Sequence, residues 1–147
     1  IYSTVSSYES LSQKAAVIIE NGLTLNANTA TDAEIDALYS SFYSNAYEAF
    51  SVLNQAYDTA LSMKSVFALS SEDEDLSEET YDSEAIYTAI DNMLLYYATD
   101  CVSVYGLTED EVYEIYTISS EDTQGIDSYV QIAYRRLFSD IFDGYIE

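Results

Sequence analysis

The chain has 147 residues, of which 27 are acidic, four are basic and none is His, giving a formal net charge of −23. Phosphate backbones and anionic membranes are therefore unfavourable partners, because both are held by several Lys or Arg gathered on one face. With 48% hydrophobic and 14% aromatic residues, the acidity does not signal disorder, which requires low hydrophobicity as well as high charge; the length suits one domain with one core.

In chain order, residues 3–21 place Val5, Tyr8, Leu11, Ala15 and Ile18 at helical spacing, and Gly22 follows where a left-handed C-terminal cap belongs. Residues 22–31 are small and polar and read as a loop. Thr31 and Glu34 then form a capping box, Thr-x-x-Glu, that opens a helix over about residues 32–69. Ile35, Leu38, Phe42, Ala46, Ala49, Leu53, Ala56, Ala60, Met63 and Phe67 follow one another in steps of three and four along it, the signature of a buried seam. Such a helix is about 58 Å long at 1.5 Å per residue, about twice the diameter of a small domain, so it is expected to serve as a spine for shorter helices. Beside the seam run Tyr39, Tyr43, Tyr47 and Tyr57, expected as a second packed face whose hydroxyls reach solvent, or else as an interaction surface.

Residues 70–83 form an acidic loop, and eight carboxylates fall between positions 70 and 84. Counting from Asp73, the residues Asp73, Asp75, Ser77 and Glu84 fall at positions 1, 3, 5 and 12 of a calcium-binding loop. Glu78 stands where that loop needs Gly for its turn, and Thr80 replaces the usual aliphatic residue. A solvated acidic loop is therefore expected ahead of a calcium site. The next helix carries Ile86, Ile90, Met93, Leu94, Tyr97, Cys101 and Val104 up to Gly106. A second capping box, Thr108 with Glu111, opens a short helix with Val112, Ile115 and Tyr116 inward. Residues 126–142 form the last helix, with Arg135 and Arg136 in its later half, where positive charge opposes the negative helix end. The expected fold is all-α, a five-helix bundle built along one long helix.

The usual constellations of catalytic chemistry are missing from this pattern. Without His there is no Ser-His or Cys-His pair and no His-ligated zinc. The glycines stand singly at 22, 106, 125 and 144, so no Gly-rich phosphate loop exists. Cys101 is the only cysteine; it excludes an internal disulfide and reads as a small buried side chain. The longest apolar run, residues 93–98, is far short of the roughly 20 residues that span a bilayer, so no membrane insertion is expected. Ile rather than Met at position 1 is what a processed or trimmed chain would show.

The function expected from these features is that of a non-enzymatic structural or assembly subunit, a virion component or an extracellular filament or matrix protein. It would work through protein contacts, by self-association or within a larger assembly, with no cofactor and no direct nucleic-acid contact. A virion or extracellular setting is favoured over the cytoplasm. One alternative is an acidic DNA-mimic inhibitor of a nucleic-acid-binding protein. Against it, residues 40–65 hold only Glu48 and Asp58 as acids, whereas a duplex carries about one charge per 1.7 Å. The other alternative is a calcium-binding acidic matrix protein.

Overall fold

The computed structural model describes residues 2–26, 28–71, 83–119, 121–122 and 124–139, which form five helices and no strand. They are α1 (Tyr2–Leu23), α2 (Asp32–Ser71), α3 (Ser83–Tyr105), α4 (Glu109–Tyr116) and α5 (Gly125–Leu137). The spine α2 has 40 residues, about 60 Å at 1.5 Å per residue. The expected capping box opens it: the Glu34 N–H donates to Thr31 Oγ1 at 3.1 Å and the Thr31 N–H donates to Glu34 Oε1 at 3.0 Å. Ile35, Leu38, Phe42, Ala46, Ala49, Leu53, Ala56 and Ala60 of the seam are all buried, while Met63 is half-buried.

Four helices pack on α2. Helix α1 runs antiparallel to its first half, with Leu11 beside Asn45 and Gly22 beside Leu38. Helix α3 runs antiparallel to the later part, from Tyr87 at Lys64 to Tyr105 at Asn45. Helix α5 lies antiparallel along the first half, through Asp127 at Tyr43 and Gln131 at Tyr39. Helix α4 closes the side of the later half, where the Asn54 amide donates to the carbonyls of Ile115, Tyr116 and Ile118 at 2.9–3.2 Å. Ile115 and Tyr116 end α4 and Ile118 follows it, where carbonyls lack the amide four residues on that a continuing helix would supply, so Asn54 acts as a side-chain cap supplied by another helix.

Aromatic rings fill the centre. Phe42 meets Tyr105, Tyr134 and Phe138 at centroid distances of 6.2, 5.9 and 5.5 Å, and Phe50 meets Tyr105 edge-on at 5.1 Å. Gly22 is not a left-handed cap. Helix α1 continues through it to Leu23, and among the described glycines only Gly106 has positive φ. A Cβ on Gly22 would lie 2.6 Å from Phe138 Cε1 and 2.7 Å from Leu38 Cδ1. Its role is thus close approach of three helices. Gly106, at φ +73°, does end α3 in the left-handed region where a side chain is disfavoured. The last helix begins at Gly125 and is capped at Phe138; its expected end at position 142 lies outside the described residues, as do all of residues 140–147.

The Thr108–Glu111 capping box of α4 is complete. Glu111 also pairs with Arg136 of α5 through Nη1–Oε1 at 2.6 Å and Nη2–Oε2 at 3.2 Å, while Arg136 Nη1 donates to the Gly106 carbonyl at 2.9 Å. One carboxylate therefore joins the start of α4 to the end of α5, and the arginine ties both to the turn after α3. The pairing with Arg136 is the main cause holding the Glu111 carboxyl below the usual carboxylate range.

Candidate protein-binding surface

Tyrosine hydroxyls bond the carboxylates that Lys and Arg are too few to reach. The Tyr8 hydroxyl and Ser12 Oγ both donate to Asp100 Oδ2, at 2.8 and 2.7 Å, clamping α1 to α3. The Tyr43 hydroxyl donates to Asp127 Oδ1 at 2.6 Å, and that of Tyr129 to Glu114. Burial is the largest influence raising Tyr8 far above the ordinary tyrosine range, followed by neighbouring Cys101 and the bond to Asp100. Tyr43 is pushed up to about 12, chiefly by its bond to Asp127. Cys101 is fully buried, and burial first and Asp100 second push its thiol upward, so the thiol stays protonated at neutral pH, the unreactive form.

The clamp lines a cleft of about 260 Å³ with Glu9, Gln13, Tyr96 and Tyr97. Its three bonded groups are a tyrosine, a serine and an aspartate, with no His or Lys to move a proton between them. The arrangement serves to hold α1 against α3.

The tyrosine ladder is engaged largely within the chain. Tyr39 accepts from Gln131 Nε2 at 2.6 Å and meets Tyr134 edge-on at 4.9 Å; Tyr43 stacks between Tyr39 and Tyr47. Tyr57 stacks on Tyr116 at 5.6 Å. Tyr47 is the exposed member of the four. Of the candidate calcium ligands, Asp73, Asp75 and Ser77 lie outside the described residues, and Glu84 is exposed in the first turn of α3. Among the described residues, no group of three or more His, Cys, Asp or Glu side chains is arranged to hold a metal ion.

Charge is distributed unevenly over the surface. Exposed ionised side chains include Glu9, Lys14 and Glu20 on α1, Glu48 and Asp58 on α2, Glu109, Asp110 and Glu114 on α4, and Arg135 and Arg136 on α5. The outer face of α3 differs. Thr88, Ala89, Asn92, Leu95, Tyr96, Thr99 and Ser103 are all exposed and follow one another at helical spacing with no charged residue among them. The acids of α3 lie elsewhere: Asp91 pairs with Lys64 at the flank, Asp100 is held in the clamp, and Glu84 opens the helix. Leu95 and Tyr96 remain 45% and 61% exposed at the middle of the face.

Helical periodicity marks where apolar residues recur; this face is marked instead by where charges fail to recur. Its signal was the absence of any acid from positions 88, 89, 92, 95, 96, 99 and 103 in a chain with 27 acids. No family model, curated protein or solved structure matches the chain.

Proposed function

We propose that the protein is a non-enzymatic assembly subunit that works through protein–protein contacts. The observation that carries this reading is the charge-free outer face of α3, with Leu95 and Tyr96 exposed on a molecule of net charge −23. A surface exposed only to water gains solubility from carboxylates, and every other helix displays ionised side chains on its outer side. Protein interfaces are depleted of Asp, Glu and Lys at their centre and enriched in Tyr, and this face has none of the three and carries Tyr96 at its middle. The long α2 supports the same role, since its seam holds four partner helices in fixed register and leaves α3 with one side outward.

The test uses native material. Extracts from the source, fractionated by size with light scattering and mild cross-linking before purification, are expected to hold the chain in a species larger than its 16.5 kDa monomer. A chain recovered solely as a free monomer, with nothing cross-linked to it, overturns the reading.

A further inference from the structure

We infer that the outer face of α3 pairs with the same face of a second copy of this chain, antiparallel about a two-fold axis at Asn92. The inference rests on the assembly reading and adds the identity of the partner.

The first argument is electrostatic. Two copies that each carry −23 repel one another, and like charges placed face to face in an interface cost several kcal/mol. They can meet closely only where neither presents carboxylates. About a two-fold axis at Asn92 the uncharged stripe overlaps itself from Thr88 to Tyr96 and meets that condition there, over about 12 Å of helix, with Asp91 at its edge paired to Lys64. A basic partner would be drawn to the carboxylates on α1, α2 and α4 rather than to this neutral stripe, so the face suits a copy of itself better than a cationic protein.

The second argument is the order of sizes along the stripe. Small residues, Thr88 and Ala89, precede Asn92, and large ones, Leu95 and Tyr96, follow it. A two-fold axis at Asn92 places residue 92 − k of one copy opposite 92 + k of the other, so Leu95 lies over Ala89 and Tyr96 over Thr88, large against small in both directions. Parallel pairing in register would instead set Tyr96 against Tyr96. At the axis, the Asn92 amide has both a donor and an acceptor, so the two copies can bond one another reciprocally. A single polar residue of this kind fixes register in paired helices.

One helix face is small beside the roughly 800 Å² per partner of a standard stable interface. The dimer is therefore concentration-dependent, and it strengthens with salt, because salt screens the repulsion between the acidic bodies. Binding to a basic partner would weaken with salt.

The experiment is sedimentation equilibrium of the purified chain over a range of concentrations at about 0.05 M and about 0.5 M NaCl. It is run on the wild type, on Leu95→Glu and on the control Ser44→Glu, which alters the exposed side of α2. In parallel, Asn92→Cys is oxidised mildly and the disulfide located by peptide mapping, with buried Cys101 as the internal reference. Circular dichroism establishes that the variants remain helical. The wild type and Ser44→Glu are expected to dimerise more strongly at high salt, Leu95→Glu to associate at least about tenfold more weakly, and Asn92→Cys to form a 92–92 disulfide. Three results each overturn the inference: a wild type that stays monomeric in both salts, a Leu95→Glu variant that associates like wild type, or an Asn92→Cys variant that fails to cross-link. The assembly reading survives all three if the native extract still holds the chain in a larger complex, and a native complex that seats a different protein on α3 identifies a heterologous partner instead.

Discussion

Asn45 occupies a position that a purely apolar seam would give to Ala or Leu, between Ser44 and Ala46 on the spine. It is 6% exposed, and its two amide atoms are both used: Nδ2 donates to the Leu11 carbonyl at 2.9 Å and Oδ1 accepts from the Tyr105 hydroxyl at 2.6 Å. One side chain thus fixes α1 and α3 on α2 at a single height. Among the described residues no buried side-chain nitrogen or oxygen lacks a hydrogen-bond partner, so removing Asn45 would leave the Tyr105 hydroxyl without its acceptor. Burial has already pushed the Tyr105 pKa upward, which closes the route of relief by ionisation. Each unsatisfied buried polar group costs about 1–3 kcal/mol. Asn45→Ala is expected to lower stability by about 3 kcal/mol in urea unfolding; a loss below about 1 kcal/mol would show that water or a rearranged tyrosine replaces it.

Tyr43 offers a second residue-level test, because its shift has one dominant source. The Asp127 carboxylate accepts its proton in a hydrogen bond and so resists formation of the phenolate, raising the pKa from 10.0 to about 12. A folded-state pKa above the unfolded value contributes stability that is complete below about pH 10 and is lost as pH rises through about 12. Tyr129, pushed to about 12 by burial and by Glu114, acts in the same direction, and the protein is expected to unfold in alkali. Replacing Asp127→Asn should bring the Tyr43 titration back toward 10 in ultraviolet difference spectra, with the Tyr129 transition unmoved. A titration curve identical to wild type would mean that Asp127 does not govern Tyr43.

At the scale of the helices, the contrast between Gly22 and Gly106 shows what was legible in the sequence. Periodicity located α2 because its seam repeats over many turns, and both capping boxes were legible because a Thr and a Glu three residues apart suffice to form one. Gly at a helix end is ambiguous. It serves either a left-handed turn, as Gly106 does, or the close approach of another chain segment, as Gly22 does against Phe138 and Leu38; the second depends on residues 16 and 116 positions away. The same distance hid the Tyr8–Asp100 clamp and the Asn54 cap on α4, whose partners are 92 and 61 to 64 positions apart. Gly22→Ala separates the two roles. Ala gains up to about 1 kcal/mol of helix propensity over Gly, yet its methyl would overlap two core side chains, and overpacking costs about 1–3 kcal/mol. A net loss of stability is expected in thermal or urea unfolding, whereas a net gain would mean that Phe138 and Leu38 yield freely.

For the molecule as a whole, the decisive quantity is the imbalance of 27 acids against four bases. Two of the cations form ion pairs that join helices, Lys64 with Asp91 and Arg136 with Glu111, and four cations cannot balance 27 acids. Asp32 and Glu34 stand in the first turn of α2, and Glu109, Asp110 and Glu111 in that of α4. The helix dipoles moderate this locally, since carboxylates near N-termini are favourable; the repulsion between clusters remains and acts over about 10 Å at 0.1 M salt but only about 3 Å at 1 M. Folding brings these clusters closer than they are in the extended chain, so screening favours the folded state. The urea midpoint should therefore rise between about 0.02 M and about 1 M NaCl, and the increase should be the same with choline chloride at equal ionic strength, because diffuse screening does not depend on the cation. A midpoint that is flat or falls with salt would show the carboxylates to be locally compensated. A much larger effect of calcium than of magnesium at matched ionic strength would instead reveal a specific site, with the segment from Asp73 to Glu84 the first place to introduce Asn and Gln in search of it.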